Sequence, residues 1–422
     1  MTAKTPTLHH TTIHAPELRS WHATPFPIIG VGGSRGKTTV TFMLADILRT
    51  AGLTVGCWNS AGVFLDDTQQ EGELQPWSRL LHASRHGEVD VLVQELPSST
   101  VVAAGLPPDT LAMAVLTTLC GNADACLLTP ESMLDRRALE NITHALHAEG
   151  TLIIGADDHD VAEIAASSGR SVFPVALHRD HPLIRQTLAA QSDAIWMDDR
   201  RAMHGMSMDD PTLLIDLRTV AATHHGTLLF QVQNVMLAAA AALRLGVEPD
   251  AIRRGLTGWA TRPDRQPGAC TMLRINEATV IIDQPRQMQS LRGLLRSLRH
   301  VPHRRAVCII GPMAGMHEVD LVDATRNIAD AAGLVILHGA THEPQRMARI
   351  RAGLAQSVTP PFVIPAADEA RAIDYLLNTL QPNDLAVVLT DDPVQVVSHL
   401  WPAPRISVES TSVAGVVRST QP

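Results

Sequence analysis

The chain has 422 residues, 45% of them hydrophobic and 18% charged, with a formal charge of -9; at about 100–200 residues per domain, that is enough for two or three domains with cores of their own. The acidic balance excludes a nucleic-acid binder that works by neutralising phosphates. Of the 34 basic residues only Lys4 and Lys37 are lysines, so lysine chemistry has two addresses, and Lys4 lies in a polar tail.

Residues 1–25 are polar and His-rich, without the apolar region of a signal peptide. No apolar stretch approaches the ~20 residues that a membrane span requires. A cytoplasmic protein with no membrane attachment is expected. Residues 26–31 read as a strand entering a Gly-rich turn, and 38–51 carry helical periodicity through Val40, Met43, Leu44, Ile47 and Leu48. Further strands are expected at 89–95, 111–117, 125–129, 150–155 and 171–175, a helix at 136–149, and short strands at 194–197 and 213–217. Helices follow at 232–245 and 249–256. The segment 261–268 combines two prolines, a glycine and charges, which suits an interdomain hinge.

Beyond it the alternation restarts: strands at 278–283, 306–311, 334–338, 362–364 and 385–389, helices at 288–298, 320–332 and 368–380. The pattern predicts an α/β protein, a P-loop-type parallel-sheet domain over 26–262 followed by a Rossmann-like α/β domain over 263–405, with a polar tail at 406–422. The five cysteines show no metal-ligand spacing, and Cys120 and Cys126 read as small core residues.

The chemistry is concentrated at Gly30–Thr39, GVGGSRGKTT, between a predicted strand and a predicted helix. Glycines let successive backbone N–H groups approach a polyphosphate, and the helix N-terminus adds its positive dipole end. Lys37 can neutralise the β- and γ-phosphates of a nucleotide, and the Thr38 hydroxyl can ligate Mg2+. Val31 occupies the first glycine position of the strict pattern, and the loop instead fits G-x-x-G-x-x-G-K-T through Gly30, Gly33 and Gly36. The competing reading is a Gly-rich turn that happens to hold a lysine.

From this loop onward the chain resembles the Mur ligase superfamily, and within it the ligase half of cyanophycin synthetases. Trp77-Ser78-Arg79-Leu80 and Asp90–Glu95, Gly155-Ala156-Asp157-Asp158, Phe230–Asn234 with the Ala-rich helix, Asp368-Glu369-Ala370, and Asn383 to Asp392 carry the likeness. It implies a reaction in which ATP phosphorylates a carboxylate and an amine attacks the acyl phosphate, giving an amide, ADP and phosphate. Partners would be ATP with Mg2+, and an amino acid or short peptide as acid and as amine. The resemblance places Gly33, Ser34, Arg35, Gly36, Lys37, Thr38 and Thr39 around the phosphates and makes Lys37 and Glu95 catalytic. It gives Thr38 and Glu95 to Mg2+, although Glu95 also reads as an ordinary strand-terminal carboxylate. Asn234 would contact adenine, or else cap its helix. Asp283 would hold the nucleotide from the closing domain.

Several positions depart from the family pattern. Arg286 stands where the family has a histidine and would bind the nucleotide beside Asp283, and Asp135 stands near a missing metal-binding histidine and could ligate metal in its place. The junction arginine is replaced by Ala269, with Arg265 nearby. The lysine often carbamylated in the family has no counterpart, because no lysine follows Lys37; arginine stays protonated and forms no carbamate. Two readings follow: a ligase with an altered metal site, or a catalytically degenerate ATP-binding homologue that partners or regulates an active ligase subunit. A nucleotide-driven switch without ligase chemistry would leave the second domain without a role.

Overall fold

The computed structural model describes residues 28–72, 74–119, 130–207, 209–339 and 343–401. The polar ends, the strand expected at 125–129, Cys120 and Cys126 lie outside the described residues.

Eleven strands form the first sheet: β1 (Ile28–Gly32), β2 (Val55–Asn59), β3 (Gly62–Leu65), β4 (Thr68–Gln70), β5 (Val91–Glu95), β6 (Leu111–Leu116), β7 (Leu146–Gly155), β8 (Ser171–Ala176), β9 (Ala194–Asp198), β10 (Arg201–Gly205) and β11 (Thr212–Asp216). Their spatial order is β11-β10-β9-β8-β7-β6-β1-β5-β2-β3-β4. The strands from β9 to β2 run parallel, and an antiparallel pair flanks them at each edge. Near-continuous apolar runs mark the central strands: every residue of β1 and of β6 is buried, as expected where helices cover both faces of a parallel sheet.

One face packs on the helices Lys37–Thr50 and Leu229–Arg244. The latter is buried from Gln231 to Ala242, and its alanine run has small side chains that let it approach its neighbours. This is the reason for the Ala-rich stretch, since a helix apolar all round belongs inside a protein.

The helix expected at 136–149 instead spans Pro130–His144, and β7 begins at Leu146, two residues later. The chain enters the sheet there because Leu146 pairs with Leu111 and is fully buried. The helix expected from Val232 starts earlier, at Leu229. The β2–β4 meander and the helices Leu74–Arg85 and Ser98–Ala104 are additions to the expected pattern.

The second sheet contains β12 (Thr271–Ile275), β13 (Ala278–Asp283), β14 (Ala306–Ile310), β15 (Leu334–Leu337), β16 (Phe362–Pro365) and β17 (Leu385–Leu389), in the order β12-β13-β17-β14-β15-β16. All but β12 run parallel. Between the sheets, Arg262 and Arg265 of the junction segment both reach Asp67 on the β3–β4 turn, Arg265 at 2.7 Å. The Arg265 guanidinium also stacks over the Phe64 ring, 4.9 Å from its centre. No described helix is long and apolar enough to cross a membrane.

Candidate active site

The carboxyl ends of β1, β5 and β6 are adjacent, the position at which open parallel sheets bind ligands. The loop after β1 runs directly into the helix Lys37–Thr50. Gly33 (φ +134°) and Gly36 (φ +87°) hold backbone conformations that other residues rarely adopt. A Cβ at Gly33 would lie 2.1 Å from Thr117 Oγ1, and one at Gly36 would lie 2.4 Å from Asn234 Oδ1. Sheet and helix thus crowd the loop from both sides, and only glycine fits.

Gly36 precedes the helix without a side-chain cap. The first N–H groups of a helix have no intrahelical acceptor, so the amides of Lys37, Thr38 and Thr39 offer an anion site with the helix dipole behind it. The Lys37 ammonium folds back to donate to the Gly33 carbonyl at 2.9 Å. Ser34 is tied to β6 through Thr118: its N–H and its hydroxyl both donate to the Thr118 carbonyl, at 2.7 and 3.0 Å.

Glu95, at the end of β5, is 7% exposed. Its Oε2 accepts from Thr38 Oγ1 (2.8 Å), Ser60 Oγ (2.9 Å) and the Ser60 N–H (3.0 Å). A carboxylate and two hydroxyls converging here make an all-oxygen donor set, which fits a hard divalent cation such as Mg2+. Asp135 is half-buried on the helix Pro130–His144 and does not line this cavity.

The second sheet closes the site. Asp283, at the end of β13 and 1% exposed, accepts from Arg35 Nη2 at 2.8 Å through Oδ2 and from the Cys270 N–H at 2.9 Å through Oδ1. Arg35 Nη1 donates to the Ser290 carbonyl at 2.6 Å, and its guanidinium lies over the Phe230 ring. A cavity of about 300 Å3 lies between the loop, Glu95, Asn234 and Asp283. Burial first, then the nearby Asp283 charge, raises the Cys270 thiol, with Arg35 opposing, so Cys270 lines the cavity as a neutral thiol and not as a nucleophile.

Asn234 lies inside the helix that begins at Leu229, so it does not cap it; its Nδ2 donates to Gln231 Oε1 at 3.0 Å. Arg286 is exposed and donates to Gln284 Oε1 at 3.1 Å, outside the lining. Arg265 faces Asp67 instead of the cavity. Four participants carried weak sequence signals. Ser60 follows the apolar β2, and Thr117-Thr118 follow the apolar β6. Asp158 accepts from Thr118 Oγ1 and the Leu119 N–H, at 2.7 and 2.8 Å, while capping the helix His159–Ser167.

Two sheets meeting over a phosphate-type loop define a mixed α/β protein, with the candidate site between the sheets. The Mur ligase middle-domain model matches residues 31–242, and the Mur ligase glutamate-ligase-domain model matches residues 270–390. The chain belongs to the Mur ligase family, whose members include ATP-dependent carboxylate–amine ligases. It is 23% identical over 324 residues to a cyanophycin synthetase of Synechocystis sp., covering 74% of this chain and 36% of that protein. With a UDP-N-acetylmuramoyl-L-alanyl-D-glutamate–2,6-diaminopimelate ligase of Corynebacterium glutamicum it shares 26% identity over 386 residues, 86% of this chain and 70% of that enzyme. Among solved structures, E. coli FolC in complex with DHPP and ADP is similar in fold, with TM-score 0.61, 15% identity, and coverage of 93% of this chain and 95% of that one. The chain spans 30–43% of the length of five cyanophycin synthetases that it matches.

Proposed function

We propose that this chain is an ATP-dependent acid–amine ligase that works through an acyl phosphate at the junction of its two sheets. The observation that carries the reading is one cavity bordered by the Lys37 loop and Glu95 of the first sheet and by Asp283 of the second. Such a site brings a nucleotide, an acid and an amine together and excludes water when the two parts close.

In this reading the amides of Lys37–Thr39 bind phosphate oxygens, and the Lys37 ammonium leaves the Gly33 carbonyl to neutralise the β- and γ-phosphates. Thr38 and Glu95 hold Mg2+, which supplies charge neutralisation at the transferring phosphate. Arg35 is oriented by Asp283, Ser290 and Phe230. It adds a fixed positive charge beside the phosphate loop. Asp283 ties the nucleotide site to the second domain, and Asn234 packs against the loop at Gly36. The domain boundary is placed near residue 263.

A second reading is an ATP-binding homologue that regulates a partner ligase. It is favoured by the lysine count and by Arg286, which is exposed and bonded to Gln284. Phosphate release from ATP and Mg2+, screened with amino acids and short acidic peptides, separates the two. The ligase reading predicts turnover that requires both an acid and an amine. Nucleotide binding with no turnover in any mixture favours the regulator.

A further inference from the structure

Glu95 and Ser60 belong to two cavities. Beyond the phosphate loop they border a second chamber of about 640 Å3, floored by the ends of β2 and β5 and walled by residues 69–72 and the helix Ser98–Ala104. Its volume lies in the ordinary range for small-ligand sites. The two residues form a partition. On one side are the cations Lys37 and Arg35. On the other, no described lining residue carries a positive charge.

The polar lining of the second chamber consists of four amides (Asn59, Gln69, Gln70 and Gln94), the Thr100 hydroxyl and the exposed carboxylate of Glu71, besides Ser60 and Glu95 at the partition. Gln69 and Gln70 each donate an amide hydrogen to nearby backbone, at Ala61 O (3.2 Å) and Thr68 O (3.1 Å). That spends one of the two amide hydrogens of each side chain and leaves their carbonyl oxygens to accept. Trp58 adds a half-buried flat wall, its ring 5.4 Å from that of buried Trp77. N–H groups, peptide amides and cations suit such a lining. A phosphate or an extra carboxylate would lose hydration there and meet the Glu71 and Glu95 carboxylates with no described cation in the lining to offset them.

We infer that this chamber holds the body of the acid substrate while its reacting carboxylate passes Ser60 and Glu95 to the cations. It selects short amide-bearing acids with an uncharged or cationic body and rejects phosphorylated or polyacidic ones. This rests on the ligase reading and gives it a substrate class.

Titration calorimetry of the full chain with Mg2+ and ADP tests it, using acetyl-Gln-Gly, acetyl-Arg-Gly and acetyl-phosphoserine-Gly as probes. The first two bind at least about tenfold tighter than the third. Glu71→Arg, an exposed change at the chamber wall, reduces or reverses that preference. Equal or tighter binding of the phosphorylated probe overturns the inference, as does binding of none of the three or a preference indifferent to Glu71→Arg. Because binding is read without turnover, the predicted preference in a protein that never releases phosphate supports the chamber while removing the ligase reading. Turnover with the opposite preference removes the chamber alone.

Discussion

The Arg35 guanidinium lies 2.8 Å from the Asp283 carboxylate, joining the loop after β1 to the end of β13 across 248 positions of sequence. Asp283 is buried, whereas the Arg35 side chain is 27% exposed. Water therefore screens the pair in part, and its worth is about 1–2 kcal/mol, below that of a fully buried pair. A double-mutant cycle with Arg35→Met and Asp283→Asn, read by urea unfolding, should return a coupling of that size. Additive losses would show that the two groups are merely adjacent.

Gly36→Ala should cost about 1–3 kcal/mol and at least about tenfold in nucleotide affinity, because it combines a left-handed backbone with a collision against Asn234. Gly52→Ala is the control. Gly52 has nearly the same φ, +89°, with nothing within 4 Å of an added Cβ, so it should show the backbone penalty alone. Equal effects of the two in thermal melts with and without ADP would contradict the crowding account.

Glu95→Gln keeps the size of the side chain and removes its charge. Three donors converge on one carboxylate oxygen, so the fold should survive with a small loss in melting temperature. The Mg2+ concentration for half-maximal nucleotide binding should rise about tenfold or more. An unchanged Mg2+ titration would remove Glu95 from the cation site.

His338 provides a pH test away from the site. It is 8% exposed, its Nε2 has no hydrogen-bond partner among the described residues, and the Glu369 carboxylate is 3.7 Å away. Burial holds His338 below its ordinary 6.5, with Asp391 and Asp368 opposing, and burial also raises Glu369 above its ordinary 4.5. As pH falls through 6.5, the unfolded chain takes up a proton at His338 that the folded chain resists, so stability falls. Glu369 acts in the opposite sense, because the folded state protonates it first as pH falls towards 4.5. His338→Gln should therefore lose less stability than the parent between pH 7 and pH 5. Parallel pH profiles of the two in urea melts would contradict this assignment.

The alternation of strands and helices was legible because apolar periodicity is local. β13 and the helices Pro249–Leu256 and Met288–Leu298 fall at their expected bounds. The phosphate-type loop was legible for the same reason, since its glycines and lysine are neighbours in sequence. The β2–β4 meander was not: its strands are only 5, 4 and 3 residues long and are held by pairing with each other and with β5. That hid Ser60, which matters only because the meander carries it to Glu95. Arg265 looked like a candidate for the junction, yet it is drawn to Asp67 and the Phe64 ring. Nothing within a short window of sequence reports either partner. The Arg35–Asp283 pair is hidden for the same reason, because it depends on how the two sheets meet.

The central claim is that the junction cavity transfers phosphate to a carboxylate. The most direct measurement is the fate of 18O placed in the carboxylate of an acid that supports turnover. An acyl phosphate forms when a carboxylate oxygen bonds to the γ-phosphorus and ADP leaves. Attack of the amine on the carbonyl carbon then expels that oxygen with the phosphate. The account predicts one 18O in each phosphate released. Phosphate carrying only solvent oxygen would mean that water, not the carboxylate, attacks ATP, and would contradict it.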